Sequence, residues 1–432
     1  MENKKIYLGV GLAFLLLMTI SFSYAYFNIK VSGNDNAKDV VVNAGTLSLV
    51  YTDGPEIKVE NIRLGKTITK EVTVKNTGTL DTNYNIIWQS LINEITNDEL
   101  VLSATCERLN STGTVEGTCN AISQAPISDT TIRRKISIES GITHKYTFTI
   151  TFKETNADQN YNQGKKFNGV LGIEEYKAPD FSTESWSTII ANVRKGYGNE
   201  YTVGSTKEID MGDYGTHTLR IANTSTSTEC NTGGFSQTSC GFVLEFADII
   251  TTHAMNDTDT NVGGWPATSM RTFVNNDIYN SLPTDLKNAI IDTTVVSGHG
   301  STSGEENYIS SDKLYLLSPA EICAESISSS NNITNTKFNI NIFSLPIPEP
   351  IEVNGNDSAR NLTKQLDYYK KMGVTIHNNH EAIKKNGTSS DIWWLRTATS
   401  NYNHFFYYVS SDNVSGDYAS SSHGVSPEFR IG

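Results

Sequence analysis

Between Val40 and Ile173 apolar and polar residues trade places at nearly every step, and no other feature of the chain limits its fold so tightly. Gly45-Thr46-Leu47-Ser48-Leu49-Val50-Tyr51, Ile68-Thr69-Lys70-Glu71-Val72-Thr73-Val74 and Lys145-Tyr146-Thr147-Phe148-Thr149-Ile150-Thr151-Phe152 all follow this pattern. Successive side chains on a strand point to opposite faces, so a period of two buries one face and wets the other. Asp53-Gly54-Pro55 and Asn76-Thr77-Gly78 bound the runs with turn residues. The pattern predicts antiparallel strands in a β-sandwich over residues 26–177.

Ahead of it, Lys4 and Lys5 precede an apolar stretch from Ile6 to Ile20, and Ser23-Tyr24-Ala25 offers small residues to a signal peptidase. Residues 1–25 are expected to be a signal peptide cleaved after Ala25 or, uncleaved, a membrane anchor. Either way the chain is exported. Cysteines of an exported chain are read first as disulfides. Nearness in sequence pairs Cys106 with Cys119 and Cys230 with Cys240, leaving Cys323 as a buried small hydrophobe or a site of intermolecular pairing. The spacings are too wide for a zinc knuckle, and no metal or cofactor is expected. A net charge of −13 opposes nucleic acid as a partner.

A chain of 432 residues has room for a second core. Lys177-Ala178-Pro179-Asp180 reads as the join, with a linker over 178–182 and a second domain over 183–432. Trp186, Ile189, Ile190 and Val193 recur at helical spacing and predict a helix over 183–195. Short strands are expected at Tyr201–Gly204, Glu208–Met211, His217–Ile221 and Gly241–Phe246. Met270, Phe273, Val274 and Ile278 mark another helix face, Leu282-Pro283-Thr284-Asp285 restarts a helix, and a further one is expected over Thr363–Lys371. Residues 324–360, with Pro346, Pro348 and Pro350, read as an irregular insertion. The second domain is therefore expected to be α+β.

Near the end, Trp393-Trp394-Leu395-Arg396 and Gly424-Val425-Ser426-Pro427-Glu428-Phe429-Arg430-Ile431 are strand-like apolar runs. Residues 401–423 between them contain no Lys, Glu, Gln, Leu, Ile, Met or Trp, and Tyr, Ser, Asn, Asp, His and Gly dominate. Binding surfaces use this vocabulary: tyrosine gives large rigid contacts at low entropy cost, and Ser, Asn and Gly give adaptable hydrogen bonds. Tyr402, His404, Tyr407, Tyr408, Asp412, Asn413, Asp417, Tyr418 and His423 are the candidates for an exposed ligand-binding face. Alternation implies that about half of them contact a ligand.

Catalytic signals are weak, and the chain reads as a non-enzyme. Ser297-Gly298-His299-Gly300-Ser301 reads as a loop, and no Gly-x-Ser-x-Gly elbow occurs. His377 and His380 have no evident third ligand. Asn256-Asp257-Thr258-Asp259-Thr260-Asn261 supplies oxygens but lacks the glycine and glutamate of a calcium loop.

Two resemblances bear on this reading. Ala25-Tyr26-Phe27, Asn43-Ala44-Gly45-Thr46-Leu47-Ser48-Leu49, Asn61-Ile62-Arg63-Leu64-Gly65 and Val74-Lys75-Asn76-Thr77-Gly78-Thr79-Leu80 resemble the camelysin/TasA-type family of exported Gram-positive bacterial proteins. That likeness covers about residues 20–90, and implies a secreted, surface or matrix-associated sandwich. Gly263–Arg271, Asn280–Pro283, Lys313–Ser318, Trp393–Arg396 and Gly424–Arg430 together resemble an uncharacterised bacterial surface-domain family. The Trp-Leu-Arg and Gly-Val-x-Pro-x-Phe-Arg elements are similar to the closing strands of C-type-lectin-like folds. Such folds occur in formylglycine-generating enzymes and in the variable proteins of diversity-generating retroelements. The latter resemblance implies programmed variation: residues 401–423 all belong to the set reachable from Asn codons by adenine-directed mutagenesis.

The expectation is a multidomain protein: a β-sandwich followed by an α+β C-type-lectin-like domain, on the surface of a Gram-positive-type bacterium or released from it. It would bind a protein or glycan on another cell or host. It would touch membrane only through residues 1–25 if these stay uncleaved. The alternative is a structural subunit of a surface fibre or biofilm matrix, self-associating through the sandwich.

Overall fold

The computed structural model describes residues 39–44, 47–54, 58–59, 65, 67–155, 157–162, 165, 167–301, 306–323, 357–375, 380–410 and 414–432. The leader, most of the 324–360 insertion, His377, Asp412 and Asn413 lie outside them. The chain divides into two compact units, residues 1–177 and 178–432.

The N-terminal unit carries β1 (Asp39–Ala44), β2 (Leu47–Thr52), β3 (Lys58–Val59), β4 (Thr67–Asn76), β5 (Thr82–Asn93), β6 (Leu100–Leu109), β7 (Val115–Thr118), β8 (Ile122–Pro126), β9 (Thr131–Ile138), β10 (Thr143–Phe152) and β11 (Phe167–Glu175). One sheet runs β1-β2-β4-β10-β6-β7, with β8 also on β6, and a second runs β3-β11-β5-β9. The alternation has become burial: on β10, His144, Tyr146, Phe148, Ile150 and Phe152 are covered while the residues between them are partly exposed. Tyr146, Phe148, Ile150 and Phe152 share one core with Tyr84, Ile86, Trp88, Ile136 and Leu171 of the other sheet, which makes the pair a sandwich. Each large side chain so buried contributes roughly 1.5–3 kcal/mol. Disulfides join Cys106 to Cys119 here and Cys230 to Cys240 in the second unit.

The C-terminal unit is mixed α and β. Its strands are β12 (Thr206–Asp210), β13 (Thr216–Asn223), β14 (Val243–Phe246), β15 (Thr251–Ala254), β16 (Thr293–Ser297), β17 (Tyr308–Asp312), β18 (Lys384–Asn386), β19 (Ser389–Asp391), β20 (Trp393–Ala398), β21 (Phe405–Val409), β22 (Val414–Tyr418), β23 (Ser422–Val425) and β24 (Glu428–Arg430). One sheet is ordered β12-β13-β14-β24 and another β15-β23-β20-β21-β22, while β16-β17 and β18-β19 are hairpins. The helix Trp186–Arg194 starts later than its periodicity suggests, because Ser185 caps it by accepting from the Thr188 amide at 3.2 Å. Trp186, Ile189 and Ile190 form its buried face. Tyr201–Gly204 is no strand but a bend and turn, with Gly204 at φ +93°. Helical residues Ser269–Ser281 include a π turn at Val274–Ile278, and Met270, Val274 and Ile278 are fully buried. Pro283 precedes the short helix Thr284–Lys287, and the helix expected over 363–371 is confined to Asp367–Lys371. Cys323 is fully buried, in the cluster that also holds Leu317, Ile322 and Tyr369.

The five-stranded sheet is covered on both faces. Trp394, Ala398, Phe406 and Val425 enter one apolar cluster, whereas Trp393, Leu395, Tyr407, Val409 and Val414 enter another. Every residue of β20 is buried, Arg396 included. Its guanidinium forms a fork on Glu321, with Nη1 2.5 Å from Oε2 and Nη2 2.6 Å from Oε1. The Ser318 amide (2.8 Å), Thr363 hydroxyl (2.9 Å) and Thr238 hydroxyl also donate to that carboxylate. Close approach also shapes the frame: a Cβ on Gly424 would sit 2.7 Å from Ile249 Cδ1.

Candidate functional site

The hairpin of β21 and β22 lies at one edge of the five-stranded sheet and carries Tyr407, Tyr408, Asp417 and Tyr418 of the predicted face, with Tyr402 and His404 just before it. Phe405 pairs with Tyr418, Phe406 with Asp417, and Tyr408 with Ser415. Outside the core, the rings of Tyr402, His404, Phe405 and Tyr418 gather into one cluster. His404 stacks on Tyr418 with centroids 5.1 Å apart and 17° between planes. Phe405 meets Tyr418 edge-on at 4.8 Å, and Tyr402 lies 5.0 Å from Phe405. Tyr402 and Tyr418 remain 40% and 48% exposed, so ring surface is open to a partner. From β23, His423 lies 5.6 Å from Tyr408 of the hairpin, and its Nε2 is 2.7 Å from Asp417 Oδ2.

Tyr407 does not belong to this face. It is fully buried in the cluster with Trp393, Leu395 and Val409. The physical reason is the second covering: alternation sends Tyr407 to the side opposite Phe406 and Tyr408, and that side is also core. Tyr402, His404, Tyr408, Asp417, Tyr418 and His423 are exposed or half-buried, whereas Asp412 and Asn413 fall outside the described residues.

Two members of the site were missed by sequence reasoning. Phe405 is the hub of the ring cluster, and only its register opposite Tyr418 shows this. Asn261 is the second. It is 1% exposed, and its Nδ2 lies 3.0, 2.7 and 3.0 Å from the carbonyls of Thr399, Tyr402 and Phe405, while its amide donates to Asn403 O at 2.8 Å. It thereby fixes the loop that presents Tyr402 and His404. The run Asn256–Asn261, weighed above as a calcium loop, is thus used as a clasp: Asp259 Oδ1 accepts from the Ser420 amide and hydroxyl, and Asn256 Nδ2 donates to Thr260 O.

Two family descriptions match the chain. Residues 242–432, which include this hairpin, match a domain of unknown function, DUF6273. Residues 2–90 match the camelysin metallo-endopeptidase family. That second description suggests a possible peptidase, so it does not support the non-enzyme expectation, though it does not establish an activity. The residues do not fit a catalytic zinc centre: positions 2–90 contain neither His nor Cys. Among the described residues, Cys106, Cys119 and His144 come close enough to share an ion, but the two sulfurs are joined in a disulfide and offer no thiolate.

No curated protein matches. Among solved structures the chain is similar to a family 123 glycoside hydrolase from Clostridium perfringens, at 13% identity over 26% of this chain and 19% of that one, with a TM-score of 0.16. It is also similar to a structure of accessory secretory protein 1, 2 and 3 in Streptococcus pneumoniae, at 11% identity over 33% of this chain and 92% of that one, with a TM-score of 0.17. The chain thus spans about a fifth of the length of the first. No helix among the described residues is long and apolar enough to cross a membrane.

Proposed function

We propose that the protein is an exported surface protein of a Gram-positive-type bacterium that binds a protein or glycan on another cell through the Tyr402, His404, Phe405 and Tyr418 cluster. The carrying observation is that these rings pack on one another while Tyr402 and Tyr418 stay 40% and 48% exposed. Clustered, partly exposed aromatic side chains beside a charged rim are the usual composition of a binding hot spot. Asp417 and His423 supply that rim. The leader-like start, the two disulfides and the camelysin match favour export. The C-type-lectin-like frame and programmed variation of residues 401–423 belong to the same proposal, on the strength of the motifs.

The locus in sibling strains tests this directly. Substitutions should concentrate at Tyr402, His404, Tyr408 and Tyr418 and spare Phe406, Tyr407 and Val409; uniform drift across all seven defeats the reading. In solution, Tyr402→Ala with Tyr418→Ala should lower binding to a printed glycan array or to immobilised ectodomains at least tenfold, with an unchanged urea midpoint. Tyr407→Ala should instead cost about 3–5 kcal/mol of stability.

A further inference from the structure

Lys70 occupies an inward position of β4, in line with Val72 and Val74, where the alternation calls for an apolar residue. It is 4% exposed, and its counterpart Asp53, just beyond the end of β2, is 7% exposed. β2 and β4 are neighbouring strands, paired from Leu49–Asn76 to Thr52–Thr73. Lys70 Nζ lies 2.8 Å from Asp53 Oδ1 and 2.9 Å from Oδ2. Contact with both oxygens of one carboxylate puts the amine in the range of roughly 3–3.5 Å that reacting atoms need. Gly54 holds the carboxylate there, since a Cβ at that position would meet Glu71 O at 2.3 Å and the turn therefore lies directly on β4. The Tyr51 hydroxyl reaches Asp53 Oδ1 at 3.0 Å.

We propose that this pair is a site of covalent modification, in which Lys70 Nζ and Asp53 Cγ join in an intramolecular amide with loss of one water. In the ion pair the amine carries the proton and the carboxylate the charge. In the reacting form a proton has passed from Nζ to Oδ2 along their hydrogen bond, leaving an amine beside a carboxylic acid. The freed lone pair adds to Cγ, and charge developing on Oδ1 meets the Tyr51 O–H. A second proton from nitrogen reaches the Oδ2 hydroxyl, the Cγ–Oδ2 bond breaks, and water departs. An ammonium and a carboxylate have become an amide and water, with no oxidant, reductant or activating group required. Burial, with the Asp53 carboxylate beside it, pushes the Tyr51 phenol above its ordinary range, so it stays protonated as a donor. The product ties β2 to β4 and removes two charges from the core.

Intact mass of the full chain, with disulfides reduced and alkylated, is the test. The expected mass is one water below that of the sequence, and a digest should yield a branched peptide joining the Lys70 side chain to Asp53, with no tryptic cleavage after Lys70. Tyr51→Phe should slow the loss of water at least tenfold during refolding. Lys70→Arg, which keeps the cation, and Asp53→Ala should both show the full mass. Full mass in the unaltered chain overturns the proposal. So does a water loss that persists in Lys70→Arg, or one that traces to a cyclic imide at Asp53-Gly54 with Lys70 recovered in a linear peptide.

Discussion

In the N-terminal unit, Lys70 Nζ meets the two oxygens of a single carboxylate at 2.8 and 2.9 Å. In the C-terminal unit, the charges of the buried Glu245 and Lys384 are each spread over several partners. Glu245 accepts from Arg220 at 2.9 Å, the Tyr369 hydroxyl at 2.7 Å and Lys384 at 2.9 Å. Lys384 Nζ in turn donates to Phe246 O at 2.7 Å and Ser426 Oγ at 2.8 Å. An ammonium has three protons, and those of Lys384 are directed to three different groups. The Glu321 carboxylate is shared in the same way, among both terminal nitrogens of Arg396, the Ser318 amide and the Thr363 and Thr238 hydroxyls, although Arg396 Nε finds no partner. Several hydrogen bonds to each charged group make a buried ion pair tolerable and favour its charged form. A lysine aimed at one carboxylate has the geometry of a reaction instead.

The largest expected effect breaks the fork of Arg396 on Glu321. Arg396→Met leaves the Glu321 carboxylate buried without its cation, which should cost about 3–5 kcal/mol. Arg396→Met combined with Glu321→Leu should recover most of it, because no charge remains to be compensated. Urea unfolding followed by near-ultraviolet circular dichroism reads both. A loss below about 1 kcal/mol in the single variant would show that the fork on Glu321 does not hold the frame.

Next in size is a difference in pH response. In the N-terminal unit, burial and then the Arg108 cation push the His144 imidazole down from 6.5 to about 4. Its Nδ1 lies 2.8 Å from the Tyr84 hydroxyl. A folded pKa below the unfolded one means that the unfolded chain binds more protons between those values. The unit should therefore keep this stability above about pH 6.5 and lose on the order of 2 kcal/mol as pH falls toward 4. In the C-terminal unit, the hydrogen bond to Asp248 raises the His217 pKa, with Nδ1 3.0 Å from Oδ2. Its contribution is complete below the unfolded value near 6.5 and is lost as pH rises through the folded value. Hydrogen exchange in β10 and β13, corrected for intrinsic rates, should thus change in opposite directions between pH 7.5 and 5. His144→Gln should flatten the first response; parallel trends in the wild-type chain would refute the assignment.

Much of this was visible in the residues. The period of two gave the strands at Leu47–Thr52, Thr67–Asn76 and Thr143–Phe152, because each has one wet face. Both local disulfides followed from nearness in sequence. Lys70 was legible as an anomaly, a charge on an inward register, but its partner required knowing where the Asp53 turn lands. Tyr407 misled because alternation identifies which residues share a side of a strand without saying whether that side is wet. Arg396 sat in an apolar run with no mark of burial, since Glu321 is 75 residues away.

The smallest effect tests whether frame and face are one device in the C-terminal unit. Asn261 touches no exposed ring, yet it binds the carbonyls of Thr399, Tyr402 and Phe405. Asn261→Ala leaves them without that donor, at about 1–1.5 kcal/mol, well under the cost of breaking Arg396 from Glu321. The melting transition should therefore move by only a few degrees, while the loop before β21 loosens and ring contacts at Tyr402 and His404 are lost. If recognition depends on a pre-ordered cluster, binding should weaken several-fold through faster dissociation, as expected when ordering must accompany contact. Unchanged dissociation in Asn261→Ala alongside a loss in Tyr402→Ala would mean that the rings act singly and that the clasp serves stability alone.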